Sequence, residues 1–186
     1  MAREVTGLDQ RIVLAPTDGS LGPLLRIADD RLAAGAGYGR HEHRDVDVVA
    51  VVLAGSLRHS WAEGAELTAG DVAVLRAGSG LTHDEVAGDD GARVLQCYLR
   101  SAEPGAPPSH EVLGAAAGWV DLRRPDARLW LAQVRPGETV EVPPGLLVVR
   151  GVDGVLVEQQ GGGPVRGPGA VLVWQLDSER PAWAVP

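Results

Sequence analysis

Short aliphatic runs, broken by glycine and proline, recur along the whole chain and constrain its fold more than any other feature. Val46 to Leu53, Val72 to Leu75 and Val94 to Leu99 are examples in the first half. The chain has 25 glycines and 13 prolines, many of them between these runs. Aliphatic and β-branched runs bounded by turn residues predict short strands. Their even spacing predicts an all-β protein built as a sandwich or barrel.

Individual strands can be assigned from this pattern. Residues 1–20 show no strong periodicity, and Pro23 to Asp30 reads as a strand. We predict a hairpin in which Val46 to Leu53 and Ser56 to Trp61 are joined at Ala54-Gly55. In the second half we predict strands over 129–134, 139–142, 146–150, 152–158 and 170–176.

The proline-rich segment after Glu103 is the clearest linker. It predicts a first domain over 1–103, a linker over 104–108 and a second domain over 109–186. Gly169 to Val173 resembles Gly70 to Val74 in sequence, which suggests that a unit is duplicated.

Charge and cysteine content exclude several classes of function. The formal net charge is −8 and the sequence pI is about 5.0, so no basic surface for nucleic acid is expected. No apolar run is long enough to span a bilayer, and no basic-then-apolar leader opens the sequence. The single cysteine, Cys97, lies in an apolar run and is expected to be a buried structural thiol. These features predict a cytoplasmic protein without a membrane partner.

Two short motifs carry the candidate chemistry: His41-Glu42-His43 and His83-Asp84-Glu85. Residues i and i+2 of a strand point to the same face, so each motif would present two metal ligands together. Three imidazoles and one carboxylate suit a divalent transition metal such as Fe(II), Mn, Ni, Cu or Zn. Because such a ligand set leaves positions open on the ion, it favours a reactive site over a purely structural one.

Other residues leave alternatives open. The first histidine pair alone would also fit a polar edge strand. Asp47 could replace Glu85 as a ligand, although hydrogen bonding to a ligand imidazole is the favoured role. His59 is expected at the surface or the rim of the site and not as a ligand, and His110 is expected in solvent.

The same residues form recognisable motifs. Gly35-x5-His41-x-His43-x3-Asp47-x7-Gly55 is similar to the first cupin motif, and Gly70-Asp71 followed by Gly80-x-x-His83 is similar to the second. The stretch from Arg31 to Leu99 resembles the pirin family of that superfamily. The most telling segments are 37–45, 52–59, 70–72 and 77–85. The chain departs from the family pattern at Glu42, where proline is usual, at Asp47, where glutamate is usual, and in having no phenylalanine.

This resemblance implies a bicupin, with two jelly-roll β-barrels and a metal only in the N-terminal one. It implies His41, His43, His83 and Glu85 as ligands, so it favours Glu85 over Asp47, with Fe(II) as the first candidate metal. The implied reaction is that of a quercetin 2,3-dioxygenase, in which O2 cleaves a flavonol-like enol and Glu85 is the general base.

The family also implies a rival function, a metal-binding regulator that acts on a protein partner. A third reading is a cupin enzyme for another small metabolite. If that metabolite is a carboxylate or phosphate, Arg40, Arg58 and Arg76 are candidate anchors.

Overall fold

The computed structural model describes residues 6–114 and 117–177, and every regular element in these residues is a β-strand. No helix in this part of the chain has the length and hydropathy needed to cross a membrane. The strands are β1 (Leu8–Leu14), β2 (Leu24–Leu32), β3 (His41–His43), β4 (Val46–His59), β5 (Ala65–Thr68), β6 (Val72–Arg76), β7 (Leu81–His83), β8 (Glu85–Arg100), β9 (Ser109–Leu113), β10 (Gly118–Val120), β11 (Ala127–Val134), β12 (Thr139–Val142), β13 (Gly145–Gly151), β14 (Gly154–Gln160), β15 (Gly163–Arg166) and β16 (Gly169–Leu176).

The strands form two compact units. Unit 1 comprises the described residues of Met1–Ala15 and Arg26–Ala115, and unit 2 those of Pro16–Leu25 and Ala116–Pro186. The segment 104–108, which the sequence suggests as a linker, lies within unit 1. It does so because β9 follows it and pairs with β6, from Val72 opposite Leu113 to Arg76 opposite Ser109.

Unit 1 contains a seven-stranded antiparallel sheet and a small two-stranded one. The large sheet has the order β1-β2-β8-β4-β6-β9, and β5 pairs with β4. The small sheet is β3 paired with β7. β1 lies at the edge of the large sheet and is largely exposed, which explains why residues 8–14 show no apolar periodicity.

The predicted hairpin at Ala54-Gly55 is wrong, because β4 runs without a turn from Val46 to His59. It pairs along its length with β8, and two irregularities in register fall around Ala54 and Gly55. Gly55 has a φ of +69°, so this glycine serves as a bulge within a long strand and not as its end. After the bulge, the register places His59 opposite Glu85.

The interior of unit 1 is aliphatic, and alternation along β4 decides which side chains enter it. Ala50, Val52 and Leu57 of β4 belong to one buried cluster. Val48 belongs to a second buried cluster, against which Val46, Trp61 and Tyr98 pack. Cys97 is buried, as predicted.

Unit 2 repeats the arrangement of a larger and a smaller sheet. The five-stranded sheet has the order β10-β11-β16-β13-β14, and β12 pairs with β15. Strands β11, β12, β13, β14 and β16 agree with the five predicted for this half, within two or three residues at their ends. A buried cluster that includes Val142 of β12, Leu147 of β13 and Val173 of β16 joins the two sheets.

Candidate metal centre

Three histidines converge where β3 and β7 pair. His41 lies opposite His83 in register, and His43 follows two residues later on β3. One ring nitrogen from each of the three lies within 4.8 Å of the other two. His41 Nε2 and His43 Nε2 are 3.0 Å apart. Two nitrogens bound at right angles to one ion, each about 2.1 Å from it, would have about this separation.

The protonation pattern of these rings suits metal binding. His41 Nδ1 donates to the carbonyl oxygen of Gly39 at 2.7 Å, which leaves Nε2 with its lone pair. His83 is only 1% exposed, and its Nε2 is buried with no hydrogen-bond partner. A buried nitrogen without a partner is costly, and a divalent ion among the three rings would satisfy it. The residues therefore fit a bound divalent metal.

Burial keeps two of these histidines neutral. It lowers the pKa of His83 to about 3 and that of His43 to about 4, because the imidazolium form would lose its hydration. Metal ligation requires a neutral imidazole, so both rings are ready to bind a metal at neutral pH.

Glu85, the predicted fourth ligand, lies beside the histidine cluster but on a different strand from His83. β7 ends at His83 and β8 begins at Glu85, so the two are not consecutive inward positions of one strand as the sequence suggested. Glu85 falls in a second group of potential ligands, with His59 and His83, and not in the group of His41 and His43. Its oxygens accept from Gln96 Nε2 at 3.1 and 3.4 Å.

The carboxyl of Glu85 is buried, at 4% exposure, yet it favours the ionised form. Burial works to raise its pKa, but the effect of the neighbouring imidazoles, His59 first and then His83 and His41, outweighs burial and lowers the pKa. His59 Nε2 lies 3.4 Å from Glu85 Oε1. Glu85 is therefore available as an anionic ligand or proton acceptor.

Two histidines, His59 and His110, lie elsewhere than the sequence predicts. His59 is expected at the surface or the rim but is 3% exposed, with Nε2 only 2.9 Å from His83 Nδ1. His110, expected in solvent, is half-buried and stacks on His59 with ring centroids 4.3 Å apart. Both positions depend on strand register, which the sequence does not show. The register of β4 with β8 places His59, and that of β6 with β9 places His110.

Asp47 does not reach the cluster. Alternation along β4 places its side chain on the face opposite Val46 and Val48, which pack in the cluster that contains Leu81 of β7. Asp47 and His43 also lie on different strands, because β3 ends at His43 and β4 begins at Val46. Asp47 belongs to neither group of potential ligands.

A surface pocket of about 750 Å³ adjoins the site. Its walls include Arg40, Arg58, His59, Trp61 and Thr82. Two of the three arginines considered as anchors thus line it. The third, Arg76, lies 3.6 Å from Glu111 in an ion pair.

Two antiparallel β units, one of which brings three histidines and a glutamate together, define a bicupin. Comparison with solved structures supports this class. The crystal structure of Escherichia coli YhhW superposes with a TM-score of 0.70 at 20% identity, over 94% of this chain and 93% of that one. A structure described as the bacterial pirin YhhW in complex with nickel(II) gives 0.66 at 20% identity, over 94% of each chain.

Sequence comparison indicates relatives for the first half of the chain. Residues 16–99 match the pirin family model. A quercetin 2,3-dioxygenase of E. coli K12 is 31% identical over 108 residues, which are 55% of this chain and 47% of that protein. A pirin-like protein of Caulobacter vibrioides is 28% identical over 144 residues, 67% of this chain and 62% of that one. The chain thus spans about half the length of the E. coli relative.

Proposed function

We propose that this chain is a metal-dependent dioxygenase of the quercetin 2,3-dioxygenase type, which uses O2 to cleave a flavonol-like enol. The metal would be held by His41, His43, His83 and Glu85. The observation that supports this most directly is the cluster of three histidine nitrogens within 4.8 Å, with a buried anionic carboxylate beside His83. The E. coli relative named as a quercetin 2,3-dioxygenase supports the choice of substrate.

The metal would supply Lewis acidity to the hydroxyl group of the substrate. Nitrogen and oxygen ligands without sulfur fit Fe(II), our first candidate, as well as Mn, Ni, Cu and Zn. Loading the protein with each of these ions in turn shows which metal supports turnover.

The residues around the cluster suit an aromatic enol. The rings of Tyr98 and His43 lie 5.7 Å apart, edge to face, and Trp61 and Tyr98 pack on the same aliphatic cluster. Tyr98, which carries the Arg26 guanidinium 3.9 Å from its ring centroid, thus lies beside the histidines, and Trp61 lines the adjoining pocket, where an aromatic ring can pack. Glu85, whose pKa is lowered, is the group that we assign to accept the proton of the enol hydroxyl.

The test is turnover of quercetin under air by the metal-loaded protein, followed by its absorbance and by metal analysis of the same sample. We expect turnover by the wild type and loss of both metal and turnover in His83→Ala. Val49→Ala is the matched control, because Val49 is buried in β4 on the face opposite the site. Bound metal without quercetin loss, for every metal tried, would refute the dioxygenase assignment while leaving the metal site intact.

One observation favours a second candidate, a cupin enzyme acting on a small anionic metabolite. Arg40 and Arg58 line the adjoining pocket and could hold a carboxylate or phosphate. Glu63 and Glu66 line the same pocket and offset their charge, so we rank this second. Saturable binding of small carboxylates, weakened in Arg58→Gln and accompanied by no quercetin turnover, would favour this candidate over the dioxygenase.

A further inference from the structure

His59 contacts two of the four proposed ligands at once. Its Nε2 lies 2.9 Å from His83 Nδ1 and 3.4 Å from Glu85 Oε1. The ring is 3% exposed, so water does not compete for these contacts. Its other nitrogen, Nδ1, is buried without a hydrogen-bond partner, which leaves the ring anchored through Nε2 alone.

The contact with His83 determines which nitrogen of that ring can bind a metal. His83 Nε2 is the nitrogen without a partner, in a ring whose centroid lies 4.3 Å from that of His41. To offer a lone pair at Nε2, neutral His83 must carry its proton on Nδ1. That N–H then needs an acceptor, and His59 Nε2 is the atom in place.

A second ring holds His59 in position. His110, from β9, stacks on it at 4.3 Å with an angle of 9° between the ring planes. β9 is fixed in turn by its pairing with β6, which places His110 opposite Leu75. The stacked ring blocks rotation of His59 away from His83 and Glu85.

We propose that His59 is a positioning residue of the metal centre. It accepts a hydrogen bond from His83 Nδ1 at its own Nε2, so that His83 Nε2 faces the metal. His110 supports the ring from its outer face. This inference rests on the proposed metal site but goes beyond it, since it assigns a role to a histidine outside the proposed ligand set. Removal of such a partner typically weakens metal binding by about 10- to 100-fold.

The experiment measures Ni²⁺ affinity by competition with a chelator in the wild type, His59→Leu, His59→Gln and Val49→Ala. A glutamine carbonyl can still accept the proton of His83 Nδ1, whereas leucine fills the space without an acceptor. We expect a loss of about 10- to 100-fold in His59→Leu, a smaller loss in His59→Gln and none in Val49→Ala. If His59→Leu does not fold, the comparison of His59→Gln with Val49→Ala decides, because a general loss of packing would affect both.

Pulsed electron paramagnetic resonance of the Cu²⁺-loaded proteins then counts the coordinated imidazoles. The positioning role requires the same count in the wild type and in His59→Gln. A count lower by one in the variant would make His59 a ligand and overturn the proposal, as would wild-type affinity in both His59 variants. If the wild type itself binds no Ni²⁺, the proposed metal site is wrong. That result differs from wild-type affinity in both His59 variants, which would refute only the positioning role.

Discussion

Gly55→Ala tests whether the bulge in β4 sets the geometry of the metal centre. At a φ of +69° an alanine is strained, and its Cβ would overlap the carbonyl oxygen of Gly91 and lie 2.8 Å from the carbonyl carbon. The obstruction is backbone of the neighbouring strand β8, so no side-chain rotation relieves it. The strands must separate where their register is set, only a few residues from the pairing of His59 with Glu85.

The size of the effect can be divided into two parts. A left-handed backbone costs alanine about 1–2 kcal/mol, and overpacking costs about a further 1–3 kcal/mol. Gly35→Ala isolates the first part, because Gly35 has nearly the same φ, +68°, and nothing within 4 Å of its added Cβ. We therefore expect losses of about 1–2 kcal/mol in Gly35→Ala and about 2–5 kcal/mol in Gly55→Ala.

Amide hydrogen exchange in β4 and β8 is the suitable assay. Tryptophan fluorescence would report mainly on unit 2, since Trp119, Trp130 and Trp174 lie there and Trp61 is the tryptophan described in unit 1. Ni²⁺ affinity, measured alongside, should fall in Gly55→Ala and stay near the wild-type value in Gly35→Ala. Equal losses of protection in the two variants would refute the argument, because the close approach of β4 and β8 would then have no energetic consequence.

Three further predictions concern acid stability, one buried hydrogen bond and metal binding. Burial lowers the pKa of His83 to about 3 and those of His43 and His110 to about 4, against 6.5 for a solvent-exposed imidazole. The unfolded state therefore takes up more protons than the folded state as pH falls below about 6.5. Urea titrations of the metal-free protein should show a free energy of unfolding that declines from pH 6.5 towards pH 4, and a constant value would contradict this. Tyr38→Phe removes a hydrogen bond of 2.8 Å to buried Asp30 and should cost about 1–3 kcal/mol in a urea titration, whereas an unchanged midpoint would show the bond to be dispensable. Ni²⁺ at about 100 times its Kd should stabilise the wild type by about 2.7 kcal/mol but not His83→Ala, and equal shifts in their thermal melts would place the ion elsewhere.

The sequence predicts the strands of this fold correctly where turn residues bound an aliphatic run. The prediction is wrong where a glycine forms a bulge within a strand instead of ending it. The strands of unit 2 follow from their apolar runs because glycine and proline do end them. Gly55 looked like the same signal, yet its positive φ makes a bulge within β4. β1 was missed because an exposed edge strand needs no apolar alternation.

The same contrast holds for the candidate site. His41 and His43 could be paired because two positions along a strand share a face, whichever strand is its neighbour. The position of His59 depends on where β4 slips against β8, and that shift arises from the bulge. His110 joins the site only because β9 adds to the edge of β6 beyond a proline-rich segment. Register between distant strands is the information that a single sequence does not contain.

The strands around the cluster also indicate what a metal would do to the fold. His41, His43 and His83 lie on the small sheet of unit 1, whereas Glu85 is the first residue of β8 in the large sheet. The chain crosses between the two sheets at Asp84, whose carbonyl oxygen accepts from the backbone N–H of Ser60 at 2.9 Å and so ties the crossing to the end of β4. A metal bound by all four residues would link the two sheets of one unit. Its binding should therefore slow exchange in β3 and β7, which are short and pair only with each other in the described topology, more than in the centre of the large sheet.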